Sequence, residues 1–288
     1  MSQSRDLAKT LAVARAATRL AADRIRAIYD IHRAGGDANI TDKGTNDPVT
    51  DADRAANDIL IAALSTAFPE DAILSEEDPE TWISDQHEYV WMIDPLDGTK
   101  EFIKANGEFV CMIGLVHNGE PVLGVVLEPA TFDEYYAAKG LGAWRIPPDH
   151  PMGAAPVAIK ASAKTDASDL VVAVSRSHRP KAVEQFCGEL GITQEYTSGS
   201  VGRKIALCTT GRADMYLHAS PGTKLWDLAG PHAILAEAGG RFTDASGRPF
   251  VYRRPKGDVK NTVGILASGS VVFDELVGPA KRAWEANN

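Results

Sequence analysis

No stretch constrains this chain more than Trp91-Met92-Ile93-Asp94-Pro95-Leu96-Asp97-Gly98-Thr99-Lys100-Glu101-Phe102. The apolar run from Tyr89 to Ile93 predicts a buried strand, ended by a carboxylate, a proline, a second carboxylate and a glycine. Strand, stiff turn and helix start follow in order. Asp94 and Asp97 are then expected at the strand tip, with the Leu96 carbonyl between them and the amides of Gly98 and Thr99 opening the next helix. Cations suit the first set and a phosphate the second. A bare D-x-x-D-G is more often a Pro-Gly turn with Asp capping, so the rest of the chain decides between the two.

A chain of 288 residues, 44% hydrophobic and 24% charged, has the composition of a soluble globular protein of one large or two ordinary domains. It has no apolar run near the roughly 18 residues of a membrane span and no secretory leader pattern at its start. Cys111, Cys187 and Cys208 are odd in number, far apart and set in apolar segments, which predicts packed thiols in a reducing compartment. The expected location is the cytoplasm. A net charge of −9 argues against a general nucleic-acid binder, and an anionic ligand would need cations supplied at its site.

From the N-terminus, Leu7, Leu11, Ala14, Ala21, Ile25 and Ile28 predict one amphipathic helix over 4–33, stopped by Gly35-Gly36. Thr50 is placed to cap a helix running to Phe68, with Asp53 at its third position as a capping-box acid. Ala72 to Leu74 is a short strand before Ser75-Glu76-Glu77-Asp78. Strands over 109–116, 121–127, 132–138 and 142–144 form an antiparallel meander, and 146–156 looks like a seam. Beyond it, strands at 169–174, 214–217 and 263–267 alternate with helices at 180–190, 200–210, 227–238 and 269–285. The expected division is an N-terminal α+β half, 1–155, carrying most of the acidic positions, and a C-terminal α/β half, 156–288, with a cleft between layered sheets and helices.

Other motifs fail on spacing. Ser198-Gly199-Ser200-Val201-Gly202-Arg203-Lys204 lacks the hydroxyl residue of a P-loop, because Ile205 follows the lysine, and Ser198 replaces the first glycine of a nucleophile elbow. A milder reading remains, a loop leading into a helix whose amides and Lys204 face an anion. Asp51-Ala52-Asp53 opens a helix, whereas an aspartyl-phosphate phosphatase needs a strand end. None of the seven histidines has a partner at metal-ligand spacing.

Asp227, at the start of the segment Leu225–Gly240, has an ordinary role as an N-cap. Each acid is unremarkable alone; what matters is that Glu76, Glu77, Asp94, Asp97 and Asp227 all fall at element ends. Two like charges about 4 Å apart repel by roughly 4 kcal/mol at an effective dielectric near 20, so a gathered set needs bound cations or raised pKa values. An all-oxygen set without Cys or His favours Mg²⁺ or Mn²⁺ over Zn²⁺.

The residues Asp47-Pro48-Val49-Thr50-x-Ala52-Asp53, Ser75-Glu76-Glu77, Asp94-Pro95-Leu96-Asp97-Gly98-Thr99 and Trp226-Asp227-x-Ala229 resemble, in order and spacing, the inositol monophosphatase superfamily of Mg²⁺-dependent, Li⁺-sensitive phosphatases. Leu74 to Pro79, Lys100 to Phe109 and Ser175-Arg176-Ser177-His178 look in addition like the bacterial 3'(2'),5'-bisphosphate nucleotidases, which take adenosine 3',5'-bisphosphate, a by-product of sulfate assimilation. The resemblance implies an αβαβα layered sandwich of the inositol monophosphatase and fructose-1,6-bisphosphatase type. Two departures stand out. Asp47 replaces the usual Ser, and Gly202-Arg203 interrupts a Ser-Ser-x-Lys-like stretch.

Carried over, the resemblance implies Glu76, Asp94 and the Leu96 carbonyl on one metal, and Asp94, Asp97 and Asp227 on a second, with Glu77 beside them or on a weaker third. Asp53 and Thr99, with Glu76, are then the catalytic set. Leu96, Asp97, Gly98, Thr99, Ser200, Lys204 and Asp227 are implied to contact substrate, a small phosphorylated nucleotide. Water attacks in line and no covalent enzyme intermediate forms. The remaining alternatives are an inositol, sugar or histidinol phosphate as substrate, and a nucleotide- or metal-binding module without chemistry. A homodimer is compatible with the chain but not specified by it.

Overall fold

The computed structural model describes residues 5–42, 48–78, 87–149, 155–176, 180–253, 258–269 and 271–287. The Asp47, Pro79, Ser177 and His178 positions of the motifs above lie outside these.

Helix α1 (Leu7–Arg33) starts where Asp6 accepts from the amides of Ala8 and Lys9, both at 3.1 Å, and ends before Gly35, whose φ of 89° breaks the helical path. The chain continues through β1 (Thr41–Asp42), β2 (Pro48–Val49), α2 (Asp51–Ala67), β3 (Ala72–Ser75), β4 (Tyr89–Asp97), α3 (Thr99–Ile103), β5 (Val110–His117), β6 (Glu120–Glu128), β7 (Asp133–Ala138), β8 (Ala143–Ile146) and β9 (Val157–Ala158). The second part contains β10 (Val171–Ser175), α4 (Lys181–Leu190), β11 (Gln194–Ser198), α5 (Val201–Leu207), β12 (Met215–His218), α6 (Trp226–Glu237), β13 (Gly240–Thr243), β14 (Ile265–Gly269) and α7 (Phe273–Asn287).

Strands β3 to β9 form a seven-stranded sheet in sequence order, antiparallel except for the parallel pair β3–β4. The second sheet has the order β11-β10-β12-β14-β13, parallel through β12 and antiparallel beyond it. Helices α1 and α2 cover the outer face of the first sheet around Ile25, Leu60, Trp91 and Ile113. Helices α5 and α6 fill the space between the sheets, while α4 and α7 cover the second sheet around Phe186, Leu266 and Phe273. These five layers are the expected αβαβα sandwich.

Three edge or near-edge strands escape a reading by hydrophobic pattern. Strand β11 is Gln194-Glu195-Tyr196-Thr197-Ser198, largely polar and exposed, and only its parallel pairing with β10 makes it a strand. Strand β9 is two exposed residues, and β13 begins on Gly240 directly after a helix stop. Strand β4 is also longer than expected. Pairing with β5 resumes at Asp97 opposite Val110 after an irregularity spanning Asp94 to Asp97, because Pro95, which has no N–H, is accommodated by a bulge instead of ending the strand. All three cysteines are free and buried. Among the described residues no helix is long and apolar enough to cross a membrane.

Candidate active site

The parallel register of β3 on β4 sets Ser75 opposite Ile93, and the Glu76 amide donates to the Ile93 carbonyl at 3.1 Å. This brings Glu76 beside Asp94, close enough for its carboxyl group to help raise the Asp94 pKa. Asp94 is 2% exposed, and its Oδ1 accepts the Leu96 amide at 3.0 Å across the bulge. Glu77 follows on the same loop, its amide 3.4 Å from the Ser75 hydroxyl.

Beyond Asp97 the chain turns at Gly98, with φ 103° and ψ 39°, and a Cβ there would press on Phe109 at 3.2 Å. That left-handed turn lets α3 start at Thr99. Thr99 Oγ1 lies 3.2 Å from Asp53 Oδ1 and 3.3 Å from the Leu96 carbonyl. The other Asp53 oxygen closes the predicted capping box, with Oδ2 accepting the Thr50 amide at 2.7 Å and the Thr50 hydroxyl at 2.6 Å. Burial pushes the Asp53 carboxyl up to about 6, helped by the charge of Glu77 and opposed by the Thr50 and Thr99 hydrogen bonds.

Asp227 reaches the group from the middle layer. Helix α6 lies so close to the first sheet that a Cβ at Gly230 would stand 2.6 Å from the Ile113 carbonyl, and one at Gly114 2.5 Å from the Gly230 amide. Glycines on both sides permit this approach. Asp227 is not the N-cap expected of it; Leu225 holds that position, and Asp227 Oδ2 accepts the Lys224 amide at 2.8 Å.

The anion faced by the loop before α5 is Asp97. Its Oδ2 accepts the Ser200 hydroxyl and the Gly202 amide, each at 2.6 Å. Lys204 is buried, with Nζ 3.4 Å from the Ser175 hydroxyl and 5.1 Å from the centre of the Tyr216 ring. Burial lowers its pKa, while Asp97 pulls in the other direction.

Burial raises the pKa of Asp94, with further contributions from Glu76, Asp97 and Asp227. It raises Asp227 likewise, aided by Asp97 and Glu76, and it raises Asp97 against its hydrogen bonds from Ser200 and Gly202. Four acids, Glu76 just after β3, Asp94 and Asp97 on β4 and Asp227 on α6, thus share one poorly solvated region and repel one another. Among the described residues no three His, Cys, Asp or Glu side chains enclose a single point as a metal shell would. One oxygen each of Asp94, Asp97 and Asp227 is engaged by backbone amides instead.

A neighbouring ionic network was invisible in the sequence. Arg203 Nε donates to Glu128 Oε1 at 3.0 Å and its guanidinium donates to Ser198 Oγ at 2.6 Å, while Glu108 accepts the Gly199 amide at 2.8 Å. Seventy-five positions separate Arg203 from Glu128, and no local spacing links them.

A sequence model described as the inositol monophosphatase family matches residues 6–274. The chain belongs to that family. Over 237 residues, 81% of this chain and 90% of the relative, it is 38% identical to the 3'(2'),5'-bisphosphate nucleotidase CysQ of Escherichia coli K12. The crystal structure of CysQ from Bacteroides thetaiotaomicron superposes with a TM-score of 0.73 at 30% identity, covering 91% of this chain and 98% of that one. An inositol monophosphatase from Anabaena gives 0.75 at 27% identity, with 99% and 98% covered. The family, the layered fold and the likeness to bacterial bisphosphate nucleotidases, all expected from the motifs, are borne out. The protein is a phosphatase of this superfamily.

Proposed function

We propose that the protein is a Mg²⁺-dependent 3'(2'),5'-bisphosphate nucleotidase that hydrolyses the 3'-phosphate of adenosine 3',5'-bisphosphate to AMP and phosphate. The observation that carries the chemistry is the Thr99 hydroxyl at 3.2 Å from a buried Asp53 carboxylate, beside a set of mutually repelling acids. The likeness to CysQ supports the choice of substrate.

The donor set fits hard divalent cations. It is all oxygen, and burial and mutual repulsion raise the Asp94, Asp97 and Asp227 pKa values, so the site favours a compensating positive charge. Glu76, Asp94, the Leu96 carbonyl, Asp97 and Asp227 would hold two Mg²⁺, with Glu77 available to a third and Mn²⁺ as a substitute. Bound there, the cations would neutralise the carboxylates and stabilise the charge that develops on the transferring phosphoryl group.

The protein's own groups do the rest. Gly98 and Thr99 amides donate to the phosphate oxygens, and Ser200 and Lys204, which the family resemblance assigns to the substrate, are the proposed contacts to its remainder. Thr99 orients the attacking water and Asp53 takes its proton, a role suited to a carboxylate whose pKa is pushed up to about 6. As the P–O bond to the 3'-oxygen breaks, the departing oxygen takes a proton from solvent water to become the 3'-hydroxyl of AMP, inorganic phosphate leaves, and Asp53 returns its proton to solvent. In this reading residues 1–155 bring most of the acids, and 156–288 bring Asp227 and the substrate contacts, so the two halves complete one site.

Phosphate release from adenosine 3',5'-bisphosphate, inositol 1-phosphate and fructose 1,6-bisphosphate, measured side by side, tests the reading. The bisphosphate nucleotide is expected to give the highest kcat/KM. Preference for inositol 1-phosphate would move the protein to the inositol branch of the family, and no release from any would make it a binding module.

A further inference from the structure

We propose that Arg203 is a positioning residue for Asp97, acting through the loop Ser198–Ser200; this rests on the reading of Asp97 as a cation ligand. Ser200 has φ 53° and ψ 136°, a backbone state that a residue with a side chain seldom adopts unless its surroundings impose it. In that state its Oγ donates to Asp97 Oδ2 at 2.6 Å while accepting the Arg203 amide at 3.0 Å. The serine therefore ties Asp97 to the first turn of α5.

Two buried or half-buried ionic groups impose the state. Arg203, 8% exposed, spans from α5 to the end of β6, with Nε on Glu128, itself 3% exposed, and the other arm of its fork on Ser198 Oγ. On the opposite side of the loop, Glu108 accepts the Gly199 amide at 2.8 Å and is gripped by Arg176 through two bonds of 2.6 and 2.7 Å. Arg203 also stands 4.0 Å from Glu108, so the two clamps share charge. A Cβ at Gly199 would fall 2.3 Å from Glu101 Cγ and 3.0 Å from the Glu108 carbonyl, so the loop is packed closely against α3 and the segment that follows it.

The geometry has a directional consequence. Only a planar fork reaches Glu128 and Ser198 together, because a lysine ammonium is a single point donor. Losing the second arm leaves the Ser198 hydroxyl only its bond to the neighbouring Gly199 carbonyl, lets Ser200 relax from positive φ, and allows the Asp97 carboxylate to rotate. Outer partners that orient metal-binding carboxylates typically control affinity by about 10–100-fold.

Calorimetric titration of Mg²⁺ into the substrate-free full-length protein, well below its Tm, provides the test. Arg203→Lys is expected to weaken Mg²⁺ binding by about tenfold or more, with kcat recovered to within about threefold at saturating Mg²⁺. Arg203→Gln with Glu128→Gln leaves no unpaired buried charge and is expected to show the same loss of affinity. Asp97→Asn serves as the reference. If Asp97→Asn binds Mg²⁺ normally, the cation-ligand reading fails; if it loses binding while both Arg203 variants keep wild-type affinity, only the positioning role fails. A lowered Tm with unchanged affinity, or failure of both variants to fold, assigns the network to stability and overturns the proposal.

Discussion

Asp53 and Thr99, 46 positions apart, meet at 3.2 Å through Oδ1, while Oδ2 of the same aspartate closes the capping box of α2. The capping role and the contact toward α3 are therefore not alternatives, since each uses its own oxygen. The helix start fixes the carboxylate so that its second oxygen always faces the threonine.

Replacing Asp53 by Asn should consequently show both effects. We expect kcat to fall by roughly 10²-fold or more, with KM nearly unchanged, and stability to fall by about 1 kcal/mol. Thr99→Ala should lower kcat similarly without the stability loss. If the two residues act as one unit, steady-state kinetics of the double variant will show much less than the product of the single losses.

The Asp53 pKa, raised from 3.8 to about 6 chiefly by burial, predicts an acidic limb in the pH profile of kcat. Below that value the carboxyl is protonated and cannot accept the proton of water. Turnover should drop tenfold per pH unit on that side, and the limb should vanish in Asp53→Asn. A wild-type rate that stays flat down to pH 4 contradicts the base assignment.

Stability of the cation-free protein should move with pH in a defined direction. Asp53, Asp94, Asp97 and Asp227 all have folded-state pKa values above their ordinary value of 3.8. The native state therefore keeps protons that the unfolded chain releases, and this contribution declines as pH rises from about 4 through the folded-state values. In chelator, Tm relative to an Asp94→Asn/Asp227→Asn variant should be higher at pH 5.5 than at pH 7.5. Saturating Mg²⁺ should raise the Tm at pH 7.5 and so reduce that difference.

Chelation should abolish phosphate release and Mg²⁺ should restore it. Asp94→Asn or Asp227→Asn should prevent the restoration while the far-ultraviolet circular dichroism stays native, since each removes a carboxylate without emptying a core position. Millimolar-range Li⁺ should inhibit, as the family resemblance implies.

Gly230→Ala tests the seating of α6. The added Cβ would meet the Ile113 carbonyl at 2.6 Å, so the helix must lift from the sheet and carry Asp227 away from Asp94. Overpacking of this kind costs about 1–3 kcal/mol. We expect a lower Tm together with weakened Mg²⁺ affinity, measured by thermal unfolding and by a raised Mg²⁺ concentration for half-maximal activity.

The sequence by itself determined a great deal. Its 3.6- and two-residue periods, its glycine stops and the Thr50 cap are local properties, so α1, α2, the β5–β8 meander and the layered class were legible. The acids at element ends, with their order and spacing, also sufficed for the family. Tertiary structure alone decided the rest, because the deciding interactions are long-range. Strand β11 is polar and exists through its pairing with β10, and Pro95 is carried inside a bulged strand because β5 supplies partners on both sides. Asp227 comes near Asp94 only because glycines on α6 and β5 let helix and sheet touch. Arg203 finds Glu128 across 75 positions, a partnership that depends on burial and no sequence period could announce.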